Sequence, residues 1–378
     1  MTILGANAGR DATGKHRRRE AIVQGTPGSG VPGTVQLLAN DITWDGFTIR
    51  GVFKKQNSPG MYTSPTSSGY LIRDTIFEEN GNGIHLGASG DHPTLVCRNR
   101  FTTNNEFEGP TGAFGIYSDN GAQQVLITSN RFEGHNGAAI FLGDQGAKPR
   151  QLDVLIEHNK SVDDRAFASI FNSTRVRLTA NHIRARVIEP DASADDPGQA
   201  SAIFIGARNN DVVVQQNKIK STSGNGIDIT NTGAGSVGTN PPQNVIVRKN
   251  KVEHAQLSGI AVSATGAGYQ VLHNRSLTNS LHGIHFALGT KGGTVTGNTA
   301  LGNGTDARSN GVDCKDESTG SPNAWTDNVG VTSQPDTLCG APTVDDDPGH
   351  DGKGHDKKSK KQKKHRPDPC VCTLPWRF

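Results

Sequence analysis

Val96-Cys97-Arg98-Asn99-Arg100-Phe101 and Ile127-Thr128-Ser129-Asn130-Arg131-Phe132 are one phrase written twice: an apolar residue, two of any kind, Asn, one of any kind, then an apolar residue. The phrase returns around Asn159, Asn181, Asn217, Asn250, Asn274, Asn298 and Asn328, and more loosely with Asp45 and Asp74 in the Asn slot. The steps between these positions are 29, 25, 31, 29, 22, 36, 33, 24, 24 and 30 residues. Self-similarity at a period of about 20–50 residues marks a repeat architecture and outranks any local reading.

Working outward from the Asn, each repeat holds two apolar stretches. The first leads into it: Val125-Leu126-Ile127, Val154-Leu155-Ile156, Val212-Val213-Val214, Val245-Ile246-Val247. The second follows later as small-Ile-x-apolar, as in Gly83-Ile84-His85-Leu86, Ala139-Ile140-Phe141-Leu142 and Gly283-Ile284-His285-Phe286. Short segments with period-2 alternation, rich in Val and Ile and bounded by Gly, Asn, Asp and Ser, are strands. No stretch carries a helical period with caps. Strands recurring in one order at a nearly constant period stack on their own copies, which gives a parallel solenoid. The Asn suits the bend between strands, because it tolerates a left-handed backbone and bonds the local chain. Stacked coil on coil, Asn amides also bond one another along the axis. Nine at one slot exceed an ordinary turn preference.

On these residues the chain resembles right-handed parallel β-helix proteins of the pectate-lyase-like superfamily, and in particular the NosD-type β-helix repeat group of secreted bacterial proteins. The resemblance spans roughly residues 1–330. It implies an all-β solenoid in which the Gly-Ile-x-Leu strand belongs to the sheet that carries the substrate groove in the enzymes. It implies no single activity, since this fold hosts lyases, hydrolases, epimerases, adhesins and catalytically silent proteins.

At 378 residues a globular chain would divide into two or three domains. The repeat replaces that expectation with one elongated domain, residues 1–341, of about eleven coils, on the order of 50 Å long at about 4.8 Å per stacked strand. A hydrophobic content of 33% with 47 glycines suits a narrow columnar core. No apolar run of about 18 residues exists, so no transmembrane helix is expected. The chain opens on Met1-Thr2-Ile3-Leu4, already a strand, with no signal peptide or cap before it. An export signal and cap are therefore expected upstream, and the location is extracellular or at the cell envelope.

The cysteines are Cys97, Cys314, Cys339, Cys370 and Cys372. Cys314 and Cys339 bracket the last coil, where a disulfide would lock the end and imply an oxidising compartment; two unrelated thiols are the alternative. Cys97 has no partner nearby in sequence. Cys370-Val371-Cys372 is too tight for a structural zinc pair, and no metal site is expected.

Residues 342–369 change character. Asp345, Asp346 and Asp347 precede the basic run from Lys357 to Arg366, and no apolar residue falls between Asp345 and Arg366. Such a segment cannot offset its ordering entropy and reads as a disordered linker. Its cations could hold anionic envelope polymers; a solvated linker is the alternative. Residues 370–378, ending Leu374-Pro375-Trp376-Arg377-Phe378, are apolar again and suggest a docking tag. No cofactor is specified; calcium at the Asp-rich stretch is the one candidate, although that stretch lacks the Gly and Glu of an EF-hand loop.

The x position of successive Gly-Ile-x-Leu strands reads His85, Tyr117, Phe141, Phe171, Phe204, Asp228, Ala261, His285, Asp313. With Ile and Leu inward, x points outward and the coils align these side chains into one stripe. The next outward slot holds mostly small residues, Gly87, Asp119, Gly143, Ser173, Gly206, Thr230, Ser263, Ala287 and Lys315, which leaves the stripe accessible. Read as a groove, His85, Tyr117, Phe141, Phe171 and Phe204 bind a polysaccharide, with sugar faces stacked on rings, and Asp228, His285 and Asp313 supply acid–base chemistry. Read otherwise, residues 184–200, with Glu189, Asp191, Asp195 and Asp196, fold over the rings as a satellite core. The catalytic signatures of pectate lyases, polygalacturonases and alginate epimerases are absent. Asp163-Asp164 is adjacent on the chain but would face opposite ways on a strand.

Three functions therefore stand open. They are a secreted β-helix that binds polysaccharide, expected to be acidic, through the stripe; a lyase, epimerase or hydrolase of acidic glycans; and a structural envelope protein without catalysis. No nucleic-acid partner is expected.

Overall fold

The computed structural model describes residues 1–25, 33–51, 58–105, 113–143, 151–187, 200–233, 236–237, 240–306, 310–319, 322–342 and 370. Each coil but the last contributes one strand to each of three parallel sheets, the last adding strands to two of them among the described residues. Sheet A runs from Thr2–Leu4 to Ala324–Thr326 in twelve strands, sheet B from Ile22–Gln24 to Thr299–Leu301 in eleven, and sheet C from Val35–Leu37 to Ser333–Gln334 in twelve. The chain is a right-handed parallel β-helix. The Val-x-Ile stretches form sheet A and the Gly-Ile-x-Leu stretches form sheet C. Sheet B is a third strand per coil that sequence alternation does not reveal. Its members, such as Arg131–Glu133 and Lys218–Ile219, are two or three residues long and bury little more than one side chain each.

The core is a stack of columns. Ile84, Ile116, Ile140, Ala168 and Ile203 bury completely beneath sheet C, and Val125, Val154, Val176, Val212 and Val245 do so beneath sheet A. Under sheet B, Phe77, Phe101 and Phe132 stack with centroids 4.9 and 4.8 Å apart and rings within 8° of parallel. Each fully buried side chain contributes about 1.5–3 kcal/mol relative to exposure.

The Asn ladder closes the A–B bend. The Asn99 N–H and Nδ2 both donate to Asn130 Oδ1, at 2.9 and 3.1 Å, and Nδ2 also reaches the Ile72 carbonyl at 2.9 Å. The same pattern steps through Asn159, Asn181, Asn217, Asn250, Asn274, Asn298 and Asn328. Every member is buried. Two details differ from the sequence reading. The left-handed residue is the one before the Asn: Arg98, Ser129, His158, Ala180, Gln216, Lys249 and His273 lie at φ between 53 and 56°. The Asn is thus spared the bend and turns its amide inward. Nor do Asp45 and Asp74 occupy the slot. Thr75 does, donating its N–H to Asn99 Oδ1 at 3.0 Å. Asp74 is shifted back by one and accepts Arg98 at 2.9 and 2.6 Å, and Asp45 accepts Arg73 at 2.9 Å.

A second polar ladder fills the B–C bend, where Asn80 donates to Asn104 at 3.0 Å, Asn104 meets His135 at 3.2 Å and His135 meets Asp164 at 2.6 Å. Farther along, Asn279, Asn303 and Asp313 repeat it. Asp163 and Asp164 diverge accordingly, Asp164 fully buried in this ladder and Asp163 at a left-handed bend.

Cys314 and Cys339 are joined, with Cα atoms 6.2 Å apart. Cys97 does have a partner: it bonds Cys370, 273 residues away. Cys97 sits on the outer side of sheet A beside Leu95 and Leu126, and Cys370 packs onto that patch. The separation along the chain is what hides the pair from sequence reading. The expected linker between, with its Asp345–Asp347 and basic runs, and the residues from 371 onward lie outside the described residues. Among the described residues no helix is long and apolar enough to cross a membrane, which says nothing of a β-barrel.

Candidate functional site

Register decides which side chains share the outer face of sheet C. Pairing runs Tyr62, His85, Tyr117, Phe141, Ser169, Phe204, Asp228, Ala261, His285, Lys315. Two sequence-predicted members therefore fall elsewhere. Ser169, not Phe171, takes the column, and Lys315, not Asp313.

Phe171 sits two residues on, level with Gly143 and Gly206. A Cβ on either glycine would collide with the Phe171 side chain, so those glycines make room for it. The ring lies between Phe141 and Phe204, with centroids 5.6 and 5.4 Å away, and covers the gap above Ser169. The aromatic run is thereby unbroken, with Tyr62–His85 at 5.5 Å, His85–Tyr117 at 5.2 Å and Tyr117–Phe141 at 5.4 Å. Tyr62, which the sequence reading missed, extends it by one rung. Its strand, Pro59–Thr63, lacks the Gly-Ile signature that marks the others. Phe114 stacks beside Tyr117 and Phe141 at 5.4 and 5.1 Å, and Ala200 packs on the same cluster. Tyr62, His85, Tyr117, Phe141 and Phe204 remain half-buried, while Phe171 and Phe114 are buried. The acidic insertion residues Glu189, Asp191, Asp195 and Asp196 lie outside the described residues.

A hydrogen-bonding cluster closes the N-terminal end of the run. His85 Nε2 meets Asp119 Oδ1 at 2.7 Å and Asn120 Nδ2 at 3.1 Å, and the Tyr117 hydroxyl donates to Asp119 Oδ2 at 3.1 Å. Asp119 stands in the second outward column noted from sequence; its tie to His85 across 34 residues is visible only in three dimensions.

The three residues expected to carry acid–base chemistry are not brought together. Asp228 lies between Phe204 and Ala261 and accepts Ser201 Oγ at 3.1 Å. Burial pushes its carboxyl above the ordinary range. His285 is two rungs away with Ala261 between, about 10 Å at the rung spacing of parallel sheets. It meets Glu317 at 3.1 Å, and burial holds its pKa below the usual value. Asp313 is buried in the B–C bend, taking Asn303 at 2.8 Å and the Val331 N–H at 2.9 Å, so its carboxylate is occupied inside the solenoid. The polar end of the face consists instead of His282, His285, Lys315 and Glu317. Lys315 pairs with Glu317 at 2.7 Å, and burial pushes His282 down to about 4. Among the described residues no group of three or more His, Cys, Asp or Glu side chains is arranged to hold a metal ion.

Residues 60–240 match the family model described as right handed beta helix region. No curated protein matches the chain. Among solved structures it is similar to the Dettilon tailspike protein, at 14% identity and a TM-score of 0.47 over 78% of this chain. It is also similar to the catalytic domain of a GH87 alpha-1,3-glucanase in complex with tetrasaccharides, at 12% identity and a TM-score of 0.32 over 81% of this chain. The chain spans 54% of the tailspike chain and 69% of the glucanase chain.

Proposed function

We propose that this protein is an extracellular glycan-binding β-helix whose binding surface is the outer face of sheet C. The observation that carries this reading is the unbroken line of rings from Tyr62 to Phe204, half-buried except at Phe171 and following the helix axis. Aromatic rings offer flat apolar faces that pack well against other flat, partly apolar groups, and pyranose rings have such faces. An apolar surface of this extent on the outside of a solenoid calls for a partner. The His85–Asp119–Asn120 cluster supplies hydrogen-bonding groups at one end, as a sugar's hydroxyls require. Disulfides at Cys97–Cys370 and Cys314–Cys339 support an oxidising, extracellular setting.

Calorimetric titration with neutral and uronate-rich polysaccharides, with and without calcium, tests the proposal, with product masses followed in parallel. Binding that is lost in Phe141→Ala and Phe204→Ala is expected. Equal binding by those variants, or no binding to any glycan, would overturn it. Unsaturated or hydrolysed products would turn the reading to a lyase or hydrolase and put Asp228 first for substitution.

A further inference from the structure

The outer face of sheet B carries a column of a different kind. Register aligns Arg100, Arg131, Lys160, His182, Lys218, Lys251 and Arg275 on seven successive rungs. The neighbouring outward column adds Arg184 and Lys220 at its centre. The chain as a whole is nearly balanced, with 39 Lys and Arg against 36 Asp and Glu, so this is clustering and not bulk composition.

Toward its ends the column is partly neutralised. Glu133 lies 3.6 Å from Arg100 and 3.1 Å from Arg131, and Glu253 lies 2.7 Å from Lys251. The centre is not. Lys160, Arg184, Lys218 and Lys220 are all exposed, and none makes an ion pair with a described carboxylate. His182 among them is held below its ordinary pKa by burial and then by Lys218, His158 and Lys160. Like charges at the rung spacing of about 4.8 Å repel one another. An open depression of about 540 Å³ lies over these rungs, lined by Arg131, Lys160, His182, Arg184, Lys218 and Lys220 among others.

We propose that this face binds a linear, carboxylate-bearing polysaccharide laid along the helix axis, at a site separate from the aromatic face of sheet C. The rung spacing is close to the length of one sugar unit. A uronate polymer, with one carboxylate per sugar, therefore presents its charges at the pitch at which the protein presents cations. Single-stranded nucleic acid fits less well, because its general binders pair a basic track with aromatic platforms for the bases. Phe, Tyr and Trp are absent from the outward positions of sheet B among the described residues, since Phe77, Phe101 and Phe132 face the core. The proposal does not depend on the glycan reading of sheet C.

The test compares the full chain with the variant carrying Lys160→Gln, Arg184→Gln, Lys218→Gln and Lys220→Gln. Polygalacturonate, a neutral glucan and single-stranded DNA are titrated at low and moderate salt. Both proteins keep the basic run of residues 357–366, so their difference reports the face alone. Polygalacturonate affinity is expected to fall at least tenfold in the variant and to weaken with salt in the unaltered protein. The melting temperature of the quadruple variant should not fall. Undiminished binding by the variant, or no polygalacturonate binding by the unaltered chain, overturns the proposal. DNA held as tightly as polygalacturonate, and lost in the same variant, overturns the polysaccharide assignment in favour of nucleic acid.

Discussion

The outer faces of sheets B and C belong to the same coils, yet one strings cations and the other rings. Rings 5.2–5.6 Å apart touch, so the column on sheet C is held together before any ligand arrives and is already half-buried. Cations at the same pitch repel, so the column on sheet B stays extended into solvent and gains only when an anion lies on it. A solenoid repeats its backbone faithfully and leaves the outward residue of each rung free. Stacking then magnifies whatever that residue does. Two chemically opposite surfaces can thus be built on one scaffold without disturbing the core they share.

That dependence on one scaffold gives the largest expected effect. Asn217 accepts both amide donors of Asn181 and donates to Asn250 and to the Leu178 carbonyl, all of them buried. Asn217→Ala strands these groups and should cost about 3–5 kcal/mol in denaturant unfolding. Glycan and polyanion binding should fall together, because both faces lose a coil. Loss of one without the other would show that the faces are mechanically independent.

Next come two phenylalanines on consecutive strands of one coil. Phe132→Ala removes a fully buried ring from the stack under sheet B and should destabilise by about 3–5 kcal/mol. Phe141→Ala removes a half-buried ring and should cost about 1 kcal/mol or less, while glycan affinity drops at least tenfold. A large stability loss in Phe141→Ala would recast the aromatic column as a covered core.

A pH effect divides sheet C itself. His282 is buried, its Nδ1 accepts the Val312 N–H at 3.1 Å, and its folded pKa is about 4 against an unfolded value of 6.5. The unfolded chain binds the proton first, so this group's contribution is intact above about pH 6.5 and is lost as pH falls toward 4. The loss approaches about 3 kcal/mol at one site. Melting curves of the wild type and His282→Asn should converge over that window.

The smallest effect concerns Asp228. Its carboxyl is held above the ordinary range by burial, so the folded state takes up its proton before the unfolded chain does. Stability from this group therefore rises as pH falls. Asp228→Asn should be neutral or slightly stabilising near pH 7, by up to about 0.5 kcal/mol, and the difference should vanish in acid. Abolished product formation in that variant would instead place the residue at the centre of a reaction.

Legibility followed chain distance and period. The Asn ladder was readable because one slot must be Asn wherever a buried amide bonds the coil above and below. The inward Ile and Val columns were readable because burial enforces alternation. The aromatic face was readable in kind but not in membership: a slip of two residues put Phe171 for Ser169, and another put Asp313 for Lys315. The Gly143 and Gly206 gaps that admit Phe171 become meaningful only once the coils are aligned. Sheet B, with one inward residue per strand, left no alternation to read, so its cation column went unseen although every member is plain in the sequence.

By itself, then, the sequence determined the repeating coil, its parallel stacking, the buried amide ladder and the presence of an outward aromatic stripe, because each is set by a local period. Tertiary structure alone decided the register, the Cys97–Cys370 link and which charges line up. Coils that vary from 22 to 36 residues carry no local signal of alignment. In a strand a shift of one residue turns every side chain to the opposite face.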